Sequence, residues 1–351
     1  MYAFMADTHL GVKLPKVDFM NSLEMFLEGI RKHKEECHGI FVCGDLFEHR
    51  LSIEDASFAS MFISRLVYNH CSKNGLNVPI YILHGTSSHD QNQYPIFLQM
   101  IDECTLSHVF YCDKVCSITL FDGKKALFLP QEYTDVDYKP FFENQHYDII
   151  VGHGPISSTN KNPCKCASYE IVHSAELLGS ISDICVFGHY HGFTDFGNNV
   201  FYTGPWLQWK YGEDEPRVFF YCNDKMEVET VPNPYWMEFK TIEIGNTDEL
   251  REYLAQDINN PHRFIIQSKP SDMETYRGII NSTKSNMVKF QLEEVIDEDD
   301  LGLSVDEVLD AQTEVVQPMD TLSTYIKDKY SIDADDQLRQ YESIINKEEK
   351  E

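Results

Sequence analysis

The sequence predicts an α/β fold, and two patterns support this prediction. Short apolar segments typical of buried strands alternate with segments of helical periodicity along the first half of the chain. Several of these strands are followed at once by glycine or a polar residue and then by His or Asp. Because ligands bind at the carboxyl ends of strands in α/β sheets, we expect five strand ends to converge on one crevice.

The predicted elements follow in a regular order. The first helix repeats apolar residues through Phe19, Leu23, Phe26 and Ile30. After Cys185 the order changes to consecutive strands separated by Gly, Asn and Asp turns. The expected strands are 2–5, 39–43, 79–83, 147–151, 184–187, 201–203, 217–222 and 227–231, and the expected helices are 17–33 and 53–69.

We expect three segments, residues 1–233, 234–292 and 293–351. The 351 residues are long for a single hydrophobic core, and the Pro-Asn-Pro at 232–234 indicates a boundary. The middle segment is predicted to be a small α/β unit that begins its first helix at Thr247. Its expected strands are 240–244, 263–267 and 287–292, and its expected helices are 247–255 and 272–281.

The last segment is strongly acidic. Residues 293–351 contain 5 Lys and Arg against 19 Asp and Glu, so half of the net charge of −28 lies there. We predict an acidic linker followed by weakly amphipathic helices near 305–309, 319–330 and 334–345. The net charge argues against simple binding to a phosphate backbone, unless bound divalent cations supply positive charge locally.

The composition predicts a globular, cytoplasmic protein, in the host cytoplasm if the source is viral. Hydrophobic residues make up 42% of the chain and charged residues 25%. No apolar run approaches the ~20 residues that span a bilayer, and the N-terminus lacks the pattern of a signal peptide. The ten cysteines form no paired CxxC framework, so we expect reduced thiols. The lone CxC of Cys164 and Cys166 leaves zinc binding as an alternative.

An ordered set of His and Asp residues predicts a metal site. A two-metal hydrolase needs a carboxylate that bridges both ions, and divalent transition metals prefer imidazole nitrogen and carboxylate oxygen. Asp45 is the natural bridge, because it follows a strand and a glycine. Each motif is weak by itself, and the prediction depends on their order along the chain. The candidates are Asp7, His9, Asp45, His89, His153, His189 and His191.

This set resembles the calcineurin-like metallophosphoesterase family. It is most similar to the SbcD-type nucleases of DNA repair, which include the recombination endonuclease subunits of large tailed phages. The resemblance covers residues 1–231. Beyond them, only the general layout of the chain is similar. Residues 203–206 (Thr-Gly-Pro-Trp) and 213–217 (Glu-Asp-Glu-Pro-Arg) are similar to two further stretches of the phage subunits. The main motifs occupy residues 7–12, 44–47, 85–90, 152–154 and 188–191.

The resemblance implies a four-layer β-sandwich flanked by helices, and a phosphodiesterase with two divalent cations. Manganese is the usual ion in the family, and magnesium is possible. His89 would stabilise the transition state or protonate the leaving oxygen. Asp90 would orient His89, or alternatively cap its own loop. One cation would take Asp7, His9, Asp45 and His191, and the other would take Asp45, His153 and His189.

The third motif departs from the family pattern. The family has Gly-Asn-His-Asp, in which the Asn ligates the second metal, whereas this chain has Gly-Thr-Ser-Ser-His-Asp at 85–90. Aligning the motif on His89 and Asp90 places Ser88 at the Asn position. We therefore expect Ser88 to bind the second cation directly or through water, or the second site to be degenerate.

The resemblance also implies partners. The segment 234–292 would be a capping domain that helps to hold DNA. The C-terminal helices would dock on an SbcC-like coiled-coil ATPase, and the chain would form a homodimer without membrane contact. The expected function is therefore that of a DNA exo/endonuclease subunit in recombination or double-strand-break processing. The alternatives are a phosphoesterase for protein phosphates or small nucleotides, and a non-catalytic scaffold of the same fold.

Overall fold

The computed structural model shows a mixed α/β protein, which confirms the predicted class. The predicted zinc alternative at Cys164 and Cys166 lies outside the described residues, and so do the predicted C-terminal helices. The structure describes residues 1–99, 107–131, 137–159, 171–208, 210–213, 215–236, 238–256, 258, 262–269, 271–284 and 288–294.

The described residues form seventeen strands and eight helices. The strands are β1 (Tyr2–Met5), β2 (Gly39–Cys43), β3 (Ile80–Leu83), β4 (Val109–Cys112), β5 (Cys116–Thr119), β6 (Lys125–Leu129), β7 (Tyr147–His153), β8 (Ile156–Ser157), β9 (His173–Ser174), β10 (Ser182–Gly188), β11 (Thr194–Gly197), β12 (Val200–Tyr202), β13 (Val218–Cys222), β14 (Val228–Pro232), β15 (Lys240–Ile244), β16 (His262–Ser268) and β17 (Val288–Glu294). The helices are α1 (Lys16–Lys32), α2 (Ile53–Val67), α3 (Ser87–Asp90), α4 (Tyr94–Leu98), α5 (Lys139–Phe142), α6 (Ala175–Ser180), α7 (Thr247–Leu254) and α8 (Met273–Ser282).

Two six-stranded mixed sheets form the main body. The first has the order β14-β13-β1-β2-β3-β4, with β1 to β4 parallel and β13 antiparallel to β1. The second has the order β11-β12-β10-β7-β6-β5, in which β12, β10, β7 and β6 are parallel. Parallel strands bring their carboxyl ends to one edge, so each sheet presents a row of loops there.

The two sheets pack face to face, with helices on their outer faces. Alternate side chains of each strand point in opposite directions, so one strand contributes to two hydrophobic clusters. In β1, Phe4 belongs to the cluster between the sheets with Phe128, whereas Met5 belongs to the cluster beneath α1 and α2. In β10, Phe187 packs with Leu178 of α6 on the outer face of the second sheet. The chain therefore forms helix, sheet, sheet and helix layers.

Local hydrogen bonds determine where α2 begins and ends. The first turn of α2 is capped by Ser52, whose side chain accepts a hydrogen bond from the Asp55 amide. The predicted extension to residue 69 fails because Asn69 is fully buried and its side-chain nitrogen donates to the carbonyl groups of Leu66 and Val78. The observed helix consequently ends at Val67.

A third sheet, of order β15-β16-β17, follows the main body, and β15 pairs with β16 in parallel. The chain divides into two compact units, one of Met1–Ile266 with Arg277–Leu292 and one that includes Gln267–Tyr276. The metal centre and its rim lie within the first unit. The predicted segment boundaries at 233/234 and 292/293 remain predictions. Within the described residues, no helix has both the length and the apolar character needed to cross a membrane.

Candidate metal centre

The candidate ligands lie in the loops at the carboxyl ends of the parallel strands. Asp7 follows β1, Asp45 follows β2, and His153 ends β7. The Asp7 amide donates to the Gly44 carbonyl (3.1 Å) and the His9 amide donates to the Asp45 carbonyl (3.1 Å). These bonds extend the β1–β2 pairing beyond the strands, and so fix two ligand loops against each other.

The backbone at these positions adopts an unusual conformation. Asp7, His9 and Asp45 have φ values of +50°, +50° and +48°, and His189 has +105°. Residues other than glycine rarely adopt positive φ, and such strained positions cluster at functional sites. Gly44 is required beside them, because a Cβ there would lie 2.3 Å from Nδ1 of His153. The loop conformations therefore direct the candidate ligand side chains towards a common point.

Among the described residues, three overlapping groups present metal-ligand atoms within 4.8 Å of one another. Six of the seven predicted residues take part; four of them are buried, and His89 and His191 are partly exposed. His189 belongs to none of the groups, but it lines the same cavity, which has a volume of about 370 Å³. The groups are Asp7 with His9 and His191, His9 with Asp45 and His89, and Asp7 with Asp45 and His153.

Two imidazoles face each other in the first group. The Nε2 atoms of His9 and His191 lie 3.1 Å apart. Nδ1 of His9 lies 2.8 Å from a Glu48 carboxylate oxygen, and Nδ1 of His191 lies 2.6 Å from one of Glu213. The Glu213 carboxylate calls for a proton on Nδ1 of His191, so we assign this ring the tautomer with a lone pair on Nε2. This lone pair faces the His9 ring, and a cation at this point would be bound by it.

Glu213 is itself held by a buried arginine. Arg217 is 1% exposed, and its guanidinium lies 3.0 Å from Glu213 Oε2 and also donates to the His191 carbonyl. A carboxylate between an arginine and an imidazole fixes the orientation of the ring and increases the basicity of its other nitrogen. Arg217 and Glu213 therefore position His191, which explains the acidic, Pro-Arg-containing stretch of the sequence.

Asp45 and His153 form the centre of the third group. Nε2 of His153 lies 3.2 Å from Asp45 Oδ2, and its Nδ1 donates to the Cys43 carbonyl (2.7 Å). Burial by itself lowers the pKa of His153, but the Asp45 carboxylate outweighs it and raises the pKa to about 9. Burial raises the pKa of Asp45, but His153 more than offsets this and keeps the pKa below its usual range. The surroundings of Asp45 thus favour a positive charge beside its carboxylate.

The electrostatics of the remaining ligands fit a bound cation. Asp7 is fully buried, and among the described residues its Oδ2 has no hydrogen-bond partner. Burial accordingly raises the pKa of Asp7. Burial, followed by the nearby charge of His153, lowers the pKa of His189 to about 4, so this ring is a neutral donor at pH 7. A buried carboxylate oxygen without a hydrogen-bond partner, close to several imidazole nitrogens, is the arrangement that a divalent cation satisfies.

The two residues expected to carry the catalytic chemistry have different surroundings. His89 is part of the second group, and its Nδ1 lies 2.5 Å from the Glu48 carbonyl, which fixes the ring. Asp90 is fully buried and accepts hydrogen bonds from the Phe47 and Gly85 amides (3.2 and 2.8 Å). Of the two alternatives for Asp90, these contacts favour the loop-holding role. The orientation of His89 comes instead from the Glu48 carbonyl.

The structure places Ser88 and Thr86 differently from the sequence alignment. Ser88 is exposed in α3. Thr86 instead contacts the Asp45 carboxylate, with its amide 2.6 Å from Oδ1 and its hydroxyl 3.1 Å from Oδ2. Gly85 permits this approach, because a Cβ there would lie 2.2 Å from the Asp45 nitrogen. Thr86 therefore occupies the place beside Asp45 for which the sequence nominated Ser88.

No protein-family model matches this chain, and the search of curated proteins finds no significant match. The chain contains clusters of buried and partly buried Asp and His residues that could hold a metal ion.

Replacing Asp45 by Asn tests the predicted bridge. The amide keeps the size of the carboxylate but removes its charge, and Asp45 belongs to two of the three groups. We expect Mn²⁺ affinity to fall by more than the roughly 10- to 100-fold that follows loss of an outer partner. Equilibrium dialysis with metal analysis measures this, and circular dichroism verifies the fold. One ion bound at full affinity would exclude Asp45 as the bridge.

Replacing Glu213 by Gln tests the positioning of His191. We expect a loss of roughly 10- to 100-fold in metal affinity, because the ring loses its carboxylate partner. Glu215→Gln is the matched control, since Glu215 lies on the same rim but contacts the Tyr190 hydroxyl (3.4 Å). Equal effects of the two variants on Mn²⁺ titrations would contradict a specific role for Glu213.

Proposed function

We propose that this protein is a metal-dependent phosphodiesterase that cleaves DNA with two divalent cations, most readily Mn²⁺, with Mg²⁺ as the alternative. The observation that carries the proposal is the overlap of the three ligand groups, which share Asp7, His9 and Asp45. Shared ligands place two cation positions next to each other, as two-metal phosphoryl transfer requires. The four-layer arrangement and the ordered motifs support a metallophosphoesterase fold.

The roles of the residues follow from their contacts. The cations, when bound, activate water and neutralise the charge that develops on phosphate oxygens. Asp7, His9, Asp45, His153 and His191 would hold them. His189 faces the same cavity as a neutral donor and completes the set.

His89 is the residue best placed to act on the substrate. It is 29% exposed, whereas His9 and His153 are 1% and 0% exposed, and it lines the open cavity. Its Nδ1 is engaged by the Glu48 carbonyl, so Nε2 is the nitrogen left to meet a phosphate oxygen or a leaving group. His89 therefore stabilises the transition state or donates a proton.

The rim of the cavity supports a polyanionic substrate despite the net charge of the chain. Lys210 lines the cavity. The next residue is Tyr211, and its ring makes cation–π contacts with two side chains. The Arg263 guanidinium lies 5.1 Å from the ring centroid, and the Lys289 ammonium lies 5.5 Å from it. Lys210, together with the two cationic side chains at the adjacent Tyr211, can contact successive phosphates, whereas a small phosphoester needs only the metal centre. This favours DNA over small nucleotides as substrate.

The larger assembly is proposed from the resemblance. The chain would act as the nuclease subunit of a recombination or double-strand-break-processing complex, with an SbcC-like ATPase and a second copy of itself. The third sheet, which carries Arg263 and Lys289, would serve as the DNA-holding cap. The scaffold alternative predicts a protein without Mn²⁺-dependent hydrolysis.

His89→Ala separates catalysis from metal binding. We expect hydrolysis of linear duplex DNA to fall by roughly 100-fold or more, the usual contribution of acid–base and electrostatic groups. Both cations should remain bound, since His89 is the most exposed member of its group. Rates with Mn²⁺ and metal content are measured on the same sample. Loss of a cation together with activity would make His89 a ligand and refute the assigned role.

The double variant Arg263→Ser/Lys289→Ser tests the substrate class. We expect weaker binding of duplex DNA and a salt dependence reduced by about one unit of slope per lost phosphate contact. Hydrolysis of bis(p-nitrophenyl) phosphate should be unchanged. Lys240→Ser is the control, because Lys240 lies in the same sheet but pairs with Glu238 (3.5 Å). Equal loss on both substrates, or activity on the small substrate alone, would contradict the nuclease proposal.

A further inference from the structure

An oxygen of Asp45 and three further atoms that can carry lone pairs lie close together. The Thr86 hydroxyl lies 2.8 Å from Oε1 of Gln131, 3.1 Å from Oδ2 of Asp45 and 3.4 Å from Nε2 of His153. Gln131 is 6% exposed and His153 is fully buried, so solvent has little access to the cluster. Neither the motifs nor the resemblance assigned any role to Thr86 or Gln131.

The number of hydrogens in this cluster is small. Nδ1 of His153 donates to the Cys43 carbonyl, so a neutral ring has its lone pair on Nε2. The Asp45 oxygen and the Gln131 amide oxygen can only accept. The Thr86 hydroxyl has one hydrogen and can donate it to only one of its three neighbouring atoms at a time. A divalent cation placed among these atoms would be bound by lone pairs of all four.

The backbone holds both residues in place. The Thr86 amide donates to Asp45 Oδ1 at 2.6 Å, which ties the loop after β3 to the Asp45 carboxylate. Gln131 follows β6, whose last residue pairs with Gly152, next to His153. The two side chains thus reach the cluster from different sheets, both from carboxyl ends of parallel strands. Such an arrangement is typical of ligands and not of a single flexible loop.

We propose that the Thr86 hydroxyl and the Gln131 amide oxygen are ligands of the cation held by Asp45 and His153. They supply the neutral oxygen atoms that this position otherwise lacks, in place of the exposed Ser88. This inference rests on the proposed metal centre and specifies its second position.

The chemistry of the donors sets the properties of this position. Hydroxyl and amide oxygens are hard, uncharged ligands, which suit Mn²⁺ and Mg²⁺ better than thiophilic ions. Neutral oxygens hold a cation less tightly than carboxylates do. The position with Thr86 and Gln131 is therefore the weaker of the two, and the position with Asp7, His9 and His191 is the tighter.

Mn²⁺ titration followed by electron paramagnetic resonance tests the assignment without measuring activity. Free Mn²⁺ gives a sharp signal, and two neighbouring bound ions give a broadened, spin-coupled signal. For the wild type we expect two ions with unequal affinities and the coupled signal at saturation. Thr86→Val and Gln131→Met keep the side-chain sizes but remove the oxygens. In each, the tighter ion should remain, the weaker should lose roughly 10- to 100-fold in affinity, and the coupled signal should fade.

Two further variants separate ligation from a structural hydrogen bond. Ser88→Ala is the control and should leave both affinities unchanged. Gln131→Glu keeps an oxygen at the same place but cannot donate a hydrogen bond, so it should retain the second ion. If the Gln131 amide nitrogen instead faced Thr86 as a donor, Gln131→Glu would lose the second ion with the fold intact by circular dichroism. That result would overturn the role of Gln131 as a ligand.

The remaining outcomes distinguish this inference from the proposed function. Two ions in the wild type with an unchanged second affinity in Thr86→Val or Gln131→Met would overturn the assignment of that residue and leave the two-cation centre standing. No ion, or only one, in the wild type would overturn the two-cation centre itself. A loss of affinity in Ser88→Ala would return the second-site ligand to Ser88.

Discussion

Electron-rich side chains are forced together in a buried space at one end of the two sheets, and the rest of the site depends on this constraint. Asp7 and Asp45 are 0% and 3% exposed, and the facing nitrogens of His9 and His191 lie 3.1 Å apart. Burying such groups without compensation is unfavourable by several kcal/mol. Part of the compensation comes from the contact between Asp45 and His153, in which the carboxylate raises the pKa of the ring to about 9. Two bound cations would compensate the remaining carboxylate oxygens and imidazole nitrogens.

The scaffold must be rigid to hold this arrangement. Behind the ligand loops, Phe41 of β2 stacks on Phe4 and Tyr81 at 5.0 and 4.9 Å, which locks three neighbouring strands. The strained backbone of Asp7 and Asp45 persists because the strands beneath them are fixed on both faces. Outer partners then fix the rings, with the Cys43 carbonyl behind His153 and Glu213 behind His191. The site is therefore built in advance, and a ligand loop has little freedom to adjust.

Sequence reasoning reached the ligands that follow apolar strands, because a strand and its terminal residue can be predicted together. It missed Gln131 because β6 was not predicted, although Asp122 and Gly123 form a recognisable hairpin turn before it. Sequence reasoning chose Ser88 over Thr86 because Ser88 directly precedes His89. The sequence does not show that α3 begins at Ser87, after Thr86. The role of Glu213 depends on a contact with a residue 22 positions away. Such tertiary contacts leave no local pattern in a single sequence.

The proposed mechanism depends on two cations that share one carboxylate at the strand ends. A crystal structure of the protein soaked in Mn²⁺, with anomalous scattering measured at the manganese edge, tests this most directly. We expect two anomalous peaks about 3.5–4 Å apart, as in other two-metal sites, with Asp45 between them. The absence of any peak within this cluster, or two peaks that do not share Asp45, would contradict it.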